Sequence, residues 1–203
     1  MITARPIIKS YSPPPISRRE ILRYMRCKEE TTEIGALIDR SLGSCLSKFR
    51  YDTVHFVTPI SISDSEIDLG FCKTQSHDLA RCLEGCSHAI VLAATVGLDI
   101  DRLISRYSRL EPSVAVCLQA IGAERIEALC DAFCQDVSFE LSCQGYSVRP
   151  RFSPGYGDLP LELQRDVFNA LDCPKGIGLS LSDSLLMSPS KSVTAIIGIK
   201  NNK

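Results

Sequence analysis

The pattern that most constrains this chain is its longest helical signal, over residues 113–141, opening after Pro112 and stopped by Gly145. Ile126, Leu129, Phe133, Val137 and Leu141 recur at spacings of three and four, which puts them on one stripe of a helix. Beside that stripe runs a narrower one of Ala120, Ala123, Glu127, Cys130 and Cys134. It is a small-residue face with a single carboxylate set into it.

The elements around this helix follow from local chemistry. Residues 1–16 read as an extended arm, because Pro13, Pro14 and Pro15 fix φ and supply no donors. The remainder, 17–203, reads as a single domain. Ser17 with Glu20 forms a capping box, and the helix it starts presents Ile21, Leu22, Tyr24 and Met25. A second helix is predicted over 32–49, from Ile34, Leu37, Ile38, Leu42, Cys45, Leu46 and Phe49. Residues 53–62 and 67–71 read as strands separated by Ser63-Asp64-Ser65. A short helix is expected over 76–83, ended by Gly85. Residues 88–95 are apolar without alternation, which describes a strand buried on both faces. Helices are expected over 98–107 and over 161–171, the latter with Pro160 at its first position. Strand candidates 179–187 and 192–200 flank Ser188-Pro189-Ser190-Lys191. Strands mixed irregularly with helices define an α+β fold with an antiparallel or mixed sheet.

Composition narrows the function classes. Of 203 residues, 44% are hydrophobic and 23% charged, with a formal charge of −1, so nothing attracts nucleic acid or an anionic membrane. The longest apolar run, 89–96, is strand-sized, far below a membrane span. The opening residues lack the apolar core of a signal peptide, and a cytoplasmic protein is expected. Its ten cysteines are then expected to be reduced, most of them packing as small hydrophobes. Cys82/Cys86 and Cys130/Cys134 stand four apart and could share a helix face as two metal ligands, but neither has a second knuckle nearby. No metal is assigned. Dinucleotide, Walker and nucleophile-elbow motifs are missing, and the only histidines are His55, His77 and His88; no catalytic residue is assigned.

One segment stands apart. Arg151-Phe152-Ser153-Pro154-Gly155-Tyr156-Gly157-Asp158 combines rigid and permissive backbone with a carboxylate-binding fork and an aromatic face. On composition alone it is equally a well-made turn between two helices. Asp158 is suited to capping the helix that follows.

Arg151-x-x-Pro154-Gly155-Tyr156 is followed by a helix and then Ser184-Leu185-Leu186-Met187-Ser188-Pro189-Ser190-Lys191-Ser192-Val193, and preceded by Glu127-Ala128-Leu129-Cys130-Asp131. In this order the pieces resemble the C-terminal half of the activation (reactivation) domain of vitamin B12-dependent methionine synthase, over about residues 118–198. Weaker cues precede them, in 19–24 and 95–101. The resemblance implies a twisted, mostly antiparallel sheet with flanking helices. It implies S-adenosylmethionine held in a shallow groove, its methyl group offered to cobalamin carried by another domain. By the same resemblance Arg151 clamps the methionine carboxylate, Ser153 and Gly155 supply backbone groups, Tyr156 lines the cofactor, and Glu127 recognises the α-amino group. Two family contacts near the chain ends, an acidic residue and a Tyr, have no counterpart assigned here; Asp158 is the alternative acid to stand in for the first, beside its reading as a helix cap.

Larger family members carry this domain behind substrate, folate and cobalamin domains, none of which is in this sequence. The implied role is therefore reductive methylation of cob(II)alamin on a separate cobalamin-binding methionine synthase, with an electron donor. An open groove would bind the ligand weakly until that partner covers it. The alternatives are service to another corrinoid protein, an interaction module with a decayed groove, and a cysteine-rich metal or redox protein.

Overall fold

The structure, a computed structural model, describes residues 5–202. In chain order the strands are β1 (Ile7–Ser10), β2 (Asp52–Pro59), β3 (Ser61–Ser63), β4 (Glu66–Asp68), β5 (Lys73–Gln75), β6 (Cys86–Thr95), β7 (Tyr146–Val148), β8 (Ser180–Leu181), β9 (Met187–Ser188) and β10 (Ser192–Asn201). The helices are α1 (Arg18–Tyr24), α2 (Thr32–Cys45), α3 (His77–Cys82), α4 (Asp99–Leu110), α5 (Pro112–Ser142), α6 (Leu163–Leu171) and α7 (Cys173–Ile177).

The long pattern becomes α5, a 31-residue helix with Pro112 in its first turn. At 1.5 Å per residue it is about 46 Å long. Its N-terminal half packs under α1, α2 and α4, and its C-terminal half lies on β6, β7 and β10.

The main sheet has the order β1-β2-β6-β10-β7, and every neighbouring pair is antiparallel. Central β6 is buried from Ala89 to Thr95 because both of its faces are covered. Ala89, Val91 and Ala93 enter one cluster with Phe168, Cys173 and Ile177 of α6 and α7. Ile90 and Leu92 enter another, with Phe133 and Val137 of α5. Strand alternation is thus intact, yet the sequence shows none, since both sides are apolar. β3, β4 and β5 form a second small sheet, and β8 pairs with β9 alone.

Several expectations need correction. The strand expected over 179–187 exists only at its ends. Ser182-Asp183-Ser184 turns the chain instead: Ser182 N donates to Leu186 O, and the Ser182 hydroxyl accepts from Leu186 N. The strand expected over 67–71 stops at Asp68, whose carboxylate accepts from Gly70 N and closes a turn. The capping box is half formed. Ser17 Oγ accepts from Glu20 N, but Ser17 N donates to Glu124, and Glu20 pairs with Arg23. The α6 helix begins at Leu163, not at Pro160, because residues 160–165 are wound into i→i+3 turns. Cys82 closes α3 and Cys86 opens β6, so that pair shares no helix face. The five-residue α7, with Pro174 in its first turn, was not expected.

The proline arm is fixed by a fully buried arginine. Arg125 donates to the carbonyls of Pro14 (2.6 Å) and Pro15 (2.7 Å), and it pairs with Glu124, which also accepts from Ser17 N. Within the arm, Ile7–Ser10 lies along β2 as the sheet's edge strand.

Candidate functional site

From Glu127 onward one side of α5 faces an open groove. Glu127, Asp131, Cys134, Ser138 and Ser142 follow at steps of three and four and, with Phe139 beside them, form one wall of a groove. The facing wall is Val148 of β7 and the segment after it, through Arg149, Pro150, Arg151, Ser153 and Tyr156. The groove has a volume of about 950 Å³. A second recess of about 490 Å³ continues past Glu127 and Asp131 to Pro14, Glu20 and Tyr24.

The wall carrying Arg151 is stitched to the sheet. Arg149 N donates to Gly198 O at 2.8 Å, and Phe152 exchanges two backbone hydrogen bonds with Ile196 in the middle of β10. Beyond the bridge, Gly155 turns the chain at φ +84°, and its N–H donates to Leu159 O. The positive φ calls for glycine there; the nearest neighbour of an added Cβ would be Leu161 Cδ1 at 2.9 Å, the tip of a side chain free to shift. The turn stands the Tyr156 ring at the groove mouth, 70% exposed, edge-on to Phe152 at 5.5 Å.

Arg151 lies at the centre. Its side chain is 22% exposed, and a single nitrogen, Nη2, reaches Glu127 Oε2 at 3.0 Å and Asp131 Oδ1 at 2.9 Å. The cluster therefore carries one net negative charge, and Nε and Nη1 have no hydrogen bond among the described residues. Such a donor set fits a zwitterion. A carboxylate can take the free arm of the guanidinium, while an ammonium meets the two acids. Burial pushes the thiol of Cys130, which lies beneath the groove, up to about 12 and raises that of Cys134, which lines it, so both stay protonated. Among the described residues no three metal-ligating side chains converge.

Of the residues singled out in the sequence, Glu127, Arg151, Ser153 and Tyr156 line one groove. Gly155 contributes the turn and is not among the lining residues. Asp158 does not cap α6. It reaches back about 80 residues to α3, where its carboxylate accepts from Ser76 Oγ, His77 N (2.7 Å) and Asp78 N (3.2 Å). Asp131 and Phe139 carried no assigned role. Asp131 was legible as the residue four beyond Glu127; Phe139 falls outside the core stripe and is 72% exposed.

Fold and groove together define an α+β domain whose sheet edge and one long helix form an open, charged cleft. No protein-family model matches the sequence, and no curated protein matches it. Among solved structures, one of the MetH reactivation domain bound to AdoHcy matches with a TM-score of 0.72. The match covers 97% of this chain and 79% of that one at 15% identity. This chain has the fold of that reactivation domain, as the resemblance in its sequence implied. No helix among the described residues is long and apolar enough to cross a membrane.

Proposed function

We propose that this chain binds S-adenosylmethionine in the α5 groove and serves, in the cytoplasm, as the reactivation module of a separate cobalamin-dependent methionine synthase. The observation that carries the reading is the convergence of Arg151, Glu127, Asp131, Ser153 and Tyr156 on one groove, in a chain with the reactivation-domain fold. When bound, S-adenosylmethionine would supply an electrophilic methyl group for a cobalamin carried by the partner, leaving S-adenosylhomocysteine in the groove, with the reducing electron supplied by a separate donor.

The chain's own work is positioning. Arg151 takes the ligand's carboxylate, Glu127 takes its α-ammonium, and the ordered turn at Ser153–Tyr156 keeps backbone groups and the phenol ring at the mouth. No proton transfer is required of the protein, in keeping with a groove whose thiols are neutral. The open mouth leaves room for a second protein to bring its corrin to the ligand.

Calorimetric titration with S-adenosylmethionine tests the site. Wild type is expected to bind, and Arg151→Ala to bind at least tenfold more weakly, roughly the worth of a charge-assisted hydrogen bond. Equal binding by the two would overturn the site assignment. The role is tested by adding the chain to oxidised, reactivation-domain-free methionine synthase with a reductant, where restored turnover is the expected result. A calorimetric affinity unchanged by the cobalamin protein would remove the coupling between them.

A further inference from the structure

We propose that Asp158 is a positioning residue for the ligand: by tying the far end of the 151–158 segment to α3, it holds Tyr156 at the groove. The inference rests on the function proposed above. It gives a binding role to a side chain that is not among those lining the groove.

The segment is held at both ends, and α3 with its flanking residues braces each of them. At the near end, Phe152 is paired with Ile196 through two backbone hydrogen bonds. Just before it, Arg149 Nη2 donates to Glu84 O at 2.8 Å, and Cys82 Sγ donates to Pro150 O at 3.6 Å. At the far end Asp158 makes the tie. Its Oδ1 accepts from Ser76 Oγ and Asp78 N, and its Oδ2 accepts from His77 N at 2.7 Å. The approach is close, since a Cβ on Gly157, at φ +56°, would meet Asp78 Oδ2 at 2.5 Å.

Between the anchors the turn carries its own hydrogen bonds. Tyr156 N donates to Ser153 O, Gly155 N to Leu159 O and Leu159 N to Tyr156 O. Two of the three involve Leu159, the residue after Asp158, so the turn keeps its shape only where the chain leaves it in a fixed direction. Leu159 is buried in the same core cluster as Leu79 of α3. Burial is non-directional, whereas the three bonds to Asp158 set an angle. Tyr156 is 70% exposed, so packing alone does not hold its ring; the turn beneath it does. A turn free to wander would have to be ordered by the ligand, at a cost in affinity.

The test titrates S-adenosylmethionine calorimetrically into wild type, Asp158→Ala, Asp158→Asn, Tyr156→Ala and the variant carrying both alanines, with circular dichroism to verify folding. Asp158→Ala should bind roughly three- to tenfold more weakly, the scale of ordering one short turn. Asp158→Asn keeps an acceptor for the N–H groups of α3 and should stay within about twofold of wild type. In the Tyr156→Ala background, Asp158→Ala should cost less than about twofold, because the side chain it positions is gone. Without ligand, the amides of Gly155, Tyr156 and Leu159 should exchange faster in Asp158→Ala than in wild type, while that of Phe152 keeps its protection. Unchanged affinity in Asp158→Ala, an undiminished loss in the Tyr156→Ala background, or unchanged exchange at the three amides would each overturn the proposal. Failure of wild type to bind would instead remove the function on which it rests, and the exchange comparison, which needs no ligand, tells the two apart.

Discussion

Asp158 shows what one side chain does when its neighbours in space are strangers in sequence. Hydrogen bonds from Ser76, His77 and Asp78 hold its carboxyl below the usual value of 3.8. A depressed folded-state pKa contributes stability that is fully present above the unfolded value and lost as pH falls through the folded one. Asp158→Ala should therefore melt at a lower temperature than wild type at pH 7, with the gap closing as the pH is taken below 3.8. Melting curves at pH 7 and pH 2 check this; a gap that persists at pH 2 would mean that the carboxylate charge is not the stabilising element. Its suitability for a cap was legible in the sequence. Which helix it caps was not, because proximity across about 80 residues is decided by the packing of other elements.

At the scale of the element, α5 divides its circumference between core and groove, and two phenylalanines six residues apart report the division. Phe133 is fully buried, edge-on to His55 at 4.9 Å and near Tyr11 at 6.5 Å, whereas Phe139 is 72% exposed. Phe133→Ala should lower unfolding free energy by about 3–5 kcal/mol. Phe139→Ala should change it by no more than about 0.5 kcal/mol. Urea denaturation of the two variants checks the pair. This division was legible, since Phe133 sits on the apolar stripe and Phe139 does not. The long elements β6 and β10 were legible for the same reason, as uninterrupted patterns outvote local noise. The two-residue strands β8 and β9 were not, because two residues carry no period. In the site, Arg151 and Tyr156 stood out through the Pro and Gly residues around them. Asp131 was visible only as a spacing, until Arg151 was seen to bind both acids.

Across the whole molecule, antiparallel pairing and helices on both faces leave little of the sheet in water, and the thiols follow that plan. Cys45, Cys117, Cys130 and Cys173 are buried, all ten are free, and Cys143 at the end of α5 is exposed. Burial pushes Cys45, Cys130 and Cys173 up to about 12, which removes the reactive thiolate. Ellman's reagent at pH 8 should label Cys143 first and reach the four buried thiols only after denaturation, with the order read by mass spectrometry. Rapid native labelling of Cys130 would contradict its place beneath the groove.

The bridge between Phe152 and Ile196 gives the groove a mechanical character. One wall is fastened to the middle of a strand and moves with the sheet; the other is a helix resting on that sheet through side chains alone. Anything bound across the groove joins the two layers at a seam otherwise closed by Arg151 and its two acids. An occupied site would act as a rivet, resisting shear of α5 over the sheet. A partner that pried the layers apart would loosen its own ligand.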